Sequence, residues 1–322
     1  MASASKIGVR IIRITDGIVN LSVLIVILLL LVFGCYAIWD SGQVYSAADA
    51  ARYAVYKPTP ENSELSFQQL QAINPEVFSW LTVYGTHIDY PVVQGADDLK
   101  YINTDATGKY SLSGAIFLDS GCSRDFSDFS SIIYGHHMDK QTMFGEIGLF
   151  ENKNYFDSHE YGSLYYGGRE HGLDFFAFVH ADAYDTAVFR TNITGRDAQQ
   201  AYLNLLMQMA AHTRDVPVTP HDRILLLSTC SASSTNGRDI LIGKITDQTY
   251  DDTFKTKITD KTNPIPVIGA LPGLWAQAPL WARLVTAALP SLLILLLLVI
   301  LIHTRKRKNR VRKTKKGHEG GG

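Results

Sequence analysis

A mainly β domain flanked by two transmembrane helices is what this chain predicts, and three observations carry that reading. Short apolar or alternating runs recur through its middle with Asp and Gly between them, at 78–83, 90–93, 115–118, 131–134, 175–179 and 224–227. Two long runs, 18–38 and 284–302, are almost wholly apolar. One late segment repeats its apolar residues at three-to-four spacing, as a helix packed on a sheet would. Strand runs separated by turn residues at such short spacing favour a β-barrel or sandwich over a parallel α/β sheet.

Each long run matches the ~20 residues that cross a bilayer core. Lys6, Arg10 and Arg13 precede the first run. A dense basic tail follows the second, from Arg305 to Lys316. The excess of cations on the cytoplasmic side then predicts both ends inside and residues between the spans outside. A cleavable signal would have a shorter apolar core with a small-residue cleavage site close behind, whereas Ala48-Asp49-Ala50 lies well downstream of residue 38. A lipoprotein-like cysteine at Cys35 is disfavoured by the bulk of Phe33 and by the apolar run continuing past it. The expected organisation is a cytoplasmic N-terminus 1–17, a span 18–38, an extracellular stalk with a helical segment 39–73, a folded domain 74–261, a Pro-rich linker 262–283, a span 284–302 and a basic cytoplasmic tail 303–322.

The formal net charge of −1 hides an asymmetry, because 29 acidic residues face 18 basic ones between Gly17 and Ile302. So acidic an outer domain argues against nucleic acid as its partner. The basic tail reads as a topology determinant that also meets anionic lipid headgroups. In the helical segment, 197–212, Ala198, Tyr202, Leu205, Leu206 and Met209 form the stripe, and Thr194 with Asp197 offers an N-terminal cap.

Chemistry concentrates near Cys230. It ends the apolar run of Leu225, Leu226 and Leu227, so its thiol belongs at a strand end. Residues 233–237 read as the following loop, and Arg238 begins a partner strand whose apolar part is 240–245. Upstream, His136 lies in Ile133-Tyr134-Gly135-His136-His137-Met138. Only a thiolate attacks a carbonyl well, and a neighbouring imidazolium and guanidinium lower a thiol's pKa. A permanently charged guanidinium with several donors suits an oxyanion, and an imidazole suits protonation of a leaving amine. The plainer reading of a strand cysteine is inert packing, which fits Cys35 in its apolar run. Cys122, in Gly121-Cys122-Ser123, has no convincing disulfide partner. His136 and His137 are adjacent, so in a strand only one of them faces the thiol. A metal site from His136, His137 and Asp139 is disfavoured, since adjacent residues chelate poorly and no familiar ligand spacing accompanies them; no cofactor is expected.

These residues resemble the sortases, cysteine transpeptidases of Gram-positive cell surfaces. The Leu-Ser-Thr-Cys ending, the downstream Arg and the Tyr-Gly-His strand carry the resemblance, and 74–245 follows the class B pattern. Within it Gly114-Ala115-Ile116-Phe117-Leu118-Asp119 and Thr142-Met143-Phe144-Gly145 look like class B rather than class A or C. The resemblance implies an eight-stranded barrel with added helices, with Cys230 as nucleophile, His136 as general acid and base and Arg238 as oxyanion or substrate stabiliser. It selects His136 over His137 and places the late helix beside the substrate groove. It further implies a C-terminal sorting signal as substrate and an amine acceptor, either a peptidoglycan cross-bridge or a pilin lysine. The second span is more typical of pilin-polymerising members than of class B anchoring enzymes. Outside the family, a thiol hydrolase that resolves the acyl-enzyme with water, or a non-catalytic binding module, would use the same barrel.

Overall fold

Residues with alternating or continuous apolar character in the middle of the chain form strands that close on themselves. The computed structural model describes residues 2–58, 63–231 and 235–254. Helix α1 (Ala2–Ala48) leads through two 3₁₀ turns, Ala50–Arg52 and Ala54–Tyr56, to α2 (Ser63–Ile73). Strands β1 (Val77–Val83), β2 (Asp89–Val93), β3 (Ile116–Leu118) and β4 (Ser130–Tyr134) follow, with a 3₁₀ turn Lys100–Ile102 between β2 and β3. A small hairpin, β5 (His137–Met138) and β6 (Thr142–Met143), precedes a 3₁₀ turn Ile147–Glu151 and α3 (Lys153–Ser158). The remaining elements are β7 (Tyr161–Tyr166), β8 (Arg169–Asp182), α4 (Arg196–Met209), β9 (Ala210–Thr213), β10 (Arg223–Cys230) and β11 (Gly237–Thr246).

Eight strands run in the order β11-β10-β4-β3-β2-β1-β7-β8, and β8 pairs back onto β11 to close the barrel. Closure removes the open edges that an exposed sheet would present. Strand β9 adds to β8 past the end of its pairing with β7. The β2–β3 and β4–β10 pairs are parallel, so each needs a long crossover, and these crossovers deliver the segments around the strand ends. The β7–β8 hairpin turns on Gly167 and Gly168, both at positive φ, the geometry a two-residue connection between twisted strands requires.

Alternate residues of the central strands enter different packed layers. Leu225, Leu227, Leu241 and Ile133 join one apolar cluster, whereas Ile224, Leu226, Ile240, Ile242 and Ile132 join another that includes Tyr202, Leu203 and Leu206 of α4. Burial on both faces explains why β10 reads as a continuous apolar run rather than an alternating one. The first layer includes Phe150, fully buried against Tyr155, His159 and Phe175. Phe150→Ala is therefore expected to cost about 3–5 kcal/mol. Urea unfolding of the full chain in detergent would check this, and a midpoint equal to wild type would refute it.

Two boundaries differ from the sequence expectation. Helix α4 stops at Met209, and residues 210–213 form β9 instead of its last turn. Its N-cap is Gly195 at φ +88°, with no side-chain cap from Thr194. The stripe itself is present, with Leu203 buried in addition to Tyr202 and Leu206. Helix α1 continues past residue 38 to Ala48, which is buried, and Tyr90 donates a hydrogen bond to its carbonyl at 2.8 Å. Within α1, residues Ile14–Ala48 are long and apolar enough to cross a membrane. The expected linker, second span and basic tail lie outside the described residues.

Candidate active site

The end of β10 and the start of β11 are assembled by their ladder. Ser228 pairs with Ile240, Thr229 with Asp239 and Cys230 with Arg238. Residues directly opposite on antiparallel strands project to the same face with Cβ atoms ~4.5–5.5 Å apart. Cys230 shares its face with Leu226 and Ser228, and Arg238 shares its face with Ile240, so both emerge on the side of the sheet that α4 covers. Cys230 is exposed and Arg238 half-buried, its Nη1 donating to the Gly237 carbonyl at 3.1 Å. Alternation sends the next residue, Asp239, to the opposite face. There it is buried and accepts a 2.8 Å hydrogen bond from Nδ1 of His180, its cross-strand partner on β8. The carboxylate next to Arg238 in sequence is thus engaged with His180 on the opposite face.

His136 arrives from the other side of β10. Strands β4 and β10 run parallel with Tyr134 opposite Ser228, and the Gly135 N–H extends this ladder by donating to the Ser228 carbonyl at 3.1 Å. Two residues beyond Tyr134 lies His136, two beyond Ser228 lies Cys230, and the common direction carries both to the same end of the barrel. A Cβ on Gly135 would lie 2.5 Å from Ile116 Cδ1 and 2.7 Å from the Phe144 ring, so the chain passes into His136 through a space that admits no side chain. The His136 imidazole is half-buried, and its Nε2 donates to the carbonyl of Ile102 at 2.9 Å. No residue type signals that contact in the sequence, because the acceptor is main chain. His137 begins β5 and is half-buried.

Tyr134 forms a wall beside these residues. Its ring lies against Phe117 and Phe189, and its hydroxyl donates to Asp119 Oδ2 at 3.0 Å. Burial holds the Asp119 carboxyl above the usual carboxylate range, although the Gly121 N–H also bonds to it.

The three cysteines differ in environment. Cys35 is on α1, and all three are free. Cys122 is buried, and burial pushes its thiol up to about 12. A thiol raised that far stays protonated and unreactive at neutral and mildly alkaline pH. Iodoacetamide at pH 8, followed by peptide mass mapping of the folded full chain in detergent, is expected to label Cys230 and leave Cys122 unmodified; rapid labelling of Cys122 would contradict its environment.

No family model matches the chain. The chain is 29% identical to "Sortase B" of Listeria monocytogenes over 212 residues, which span 65% of this chain and 83% of that protein. It is 47% identical to a crystal structure of sortase B from the type II pilus of Streptococcus pneumoniae, covering 56% of this chain and 99% of that one with a TM-score of 0.51. It is 40% identical to a class B sortase of Streptococcus pyogenes involved in pilus biogenesis, covering 56% of this chain and 98% of that one with a TM-score of 0.52. With a closed eight-stranded barrel, a free thiol at its mouth and such identity over nearly the whole of two solved class B enzymes, this chain belongs to the sortase B family of cysteine transpeptidases.

Proposed function

We propose that this protein cleaves a C-terminal sorting signal at a threonine and transfers the new acyl group to a lysine amine, as a pilin-polymerising enzyme. The observation that carries the chemistry is the direct pairing of Cys230 with Arg238 across β10 and β11, beside the strand that leads into His136. The Cys230 thiolate attacks the threonine carbonyl carbon, and Arg238 stabilises the oxyanion that forms. Collapse expels the amine of the following residue, which takes a proton from His136, and leaves a thioester on Cys230. The acceptor amine gives up a proton to His136, attacks the thioester and restores the thiolate. The product is an isopeptide bond when that amine is a lysine side chain.

Two observations favour pilin lysine over a peptidoglycan cross-bridge. The solved relatives at 47% and 40% identity are named for a pilus and for pilus biogenesis. The chain also carries the apolar run 284–302 behind its catalytic part. Helix α1 supplies the N-terminal membrane anchor, and the flanking cations put both chain ends in the cytoplasm with the barrel outside.

The test is to incubate the full chain in detergent with peptides ending in Leu-Pro-X-Thr-Gly or Asn-Pro-X-Thr-Asn. Mass spectrometry would detect an acyl adduct on Cys230, and a lysine-bearing peptide or a cross-bridge amine would then be added. Ligation to lysine supports the pilin reading, ligation to the cross-bridge amine alone replaces it with wall anchoring, and hydrolysis undiverted by either amine defeats transfer.

A further inference from the structure

We infer that the main-chain carbonyl of Ile102 is a positioning group for His136, holding the ring proton on Nε2 so that Nδ1 is the nitrogen that exchanges protons with the substrate. The inference rests on the acid and base role given to His136 above and adds which atom performs it and what orients it. A carbonyl oxygen only accepts, so the 2.9 Å contact between Ile102 O and His136 Nε2 requires hydrogen on Nε2. In the neutral ring Nδ1 is then the bare acceptor, and no other described residue gives it a hydrogen bond. In the imidazolium both nitrogens carry hydrogen. Nδ1 gives its proton to the departing amine, returns to the bare form, and takes a proton from the acceptor amine in the second half-reaction, while Nε2–H stays on the carbonyl throughout. This is the division of labour by which one ring nitrogen is fixed so that the other works.

The carbonyl is held firmly enough for that task. Ile102 ends the 3₁₀ turn Lys100–Ile102, whose central residue, Tyr101, is 1% exposed. The Tyr101 hydroxyl accepts from Asn74 Nδ2 at 2.9 Å and donates to Glu76 Oε2 at 2.5 Å. Lys100 Nζ reaches the same Glu76 oxygen at 2.6 Å, and Asn74 Nδ2 also bonds the Ala106 carbonyl at 3.1 Å. From the other side the turn is pressed by Gly114, at φ +60°, where an added Cβ would lie 2.4 Å from the Tyr101 carbonyl oxygen and 2.6 Å from that of Ile102. The next N–H, from Ala115, donates to the Tyr101 carbonyl at 3.0 Å. The turn is thus tied to the residues leading into β1 on one side and into β3 on the other.

The test is nitrogen-15 NMR of the histidine rings in the full chain in detergent above pH 8, with His136 assigned by its loss in His136→Gln. The wild-type ring is expected to be Nε2-protonated with Nδ1 bare; a ring protonated on Nδ1 overturns the inference. Gly114→Ala, which forces the Ile102 carbonyl to move, is expected to lower the ratio of Nε2–H to Nδ1–H tautomer about fivefold, the worth of one net hydrogen bond. Because that variant could fail to fold, Tyr101→Phe, which keeps the ring and releases the turn, is measured beside it and is expected to shift the ratio in the same direction. An unchanged ratio in every folded variant overturns the positioning role. Undiminished adduct formation and amine transfer by His136→Gln would instead refute the acid and base reading, whatever the tautomer.

Discussion

Cys230→Ala is expected to abolish acyl transfer, with a loss of about 10⁴-fold or more, because among the described residues Cys230 holds the only thiol at the strand end. The competing thiol, Cys122, is buried and raised, and it belongs to the loop between β3 and β4 rather than to the mouth. The substitution deletes one exposed sulfur at the end of a strand whose buried part ends at Thr229, so stability should hardly change. The checks are adduct mass spectrometry with the sorting-signal peptides and a thermal melt of the same sample. A variant that still forms the covalent adduct would remove Cys230 from the mechanism. One that loses both adduct and melting transition would show only that the residue is structural.

Arg238→Ala should lower kcat by about 10²–10³, the usual loss when an oxyanion stabiliser is removed, with a smaller effect on KM. The expectation follows from position. Arg238 faces Cys230 across the ladder, whereas the neighbouring carboxylate of Asp239 is turned to the other face and engaged with His180. Among the described residues no carboxylate forms an ion pair with the guanidinium, so its remaining donors are available on the thiol side. Arg238→Lys should recover only part of the rate, since an ammonium keeps the charge without the planar fork of donors. Steady-state kinetics on all three proteins would check this. Equal kcat in wild type and Arg238→Ala would exclude a role for the side chain in the transition state.

The parts of the fold that were legible in the sequence are those where one local pattern dominates. The runs at 78–83, 90–93, 115–118, 131–134 and 224–227 fall within or overlap β1, β2, β3, β4 and β10, because each is bounded by turn residues and buried on at least one face. Strand β7 escaped that reading, since Tyr161-Gly162-Ser163-Leu164-Tyr165-Tyr166 lacks a clean apolar run. The signal that could have found it is Gly167-Gly168, a two-residue hairpin connection between two strands. The end of α4 also lay beyond local reading. Nothing in residues 210–213 forbids helix, and Pro217 is the first strong stop. The chain turns to β9 at Ala210 because β8 runs on past its pairing with β7 and offers unpaired backbone there, a partner visible only once the barrel has closed.

Residue type and local pattern carry the chemistry available to this protein and the layers that build it. A cysteine ending a continuous apolar strand, an arginine opening the next strand, a histidine after another strand and a long apolar N-terminal run are all local statements, and their residue types carry them. Folding adds the register that sets Cys230 opposite Arg238, the burial that separates an inert Cys122 from an exposed Cys230, and the Ile102 carbonyl that meets His136. The reason is physical. Side-chain identity is written residue by residue, but register, burial and main-chain acceptors arise from contacts between segments far apart in the chain, and no short window of sequence contains both partners.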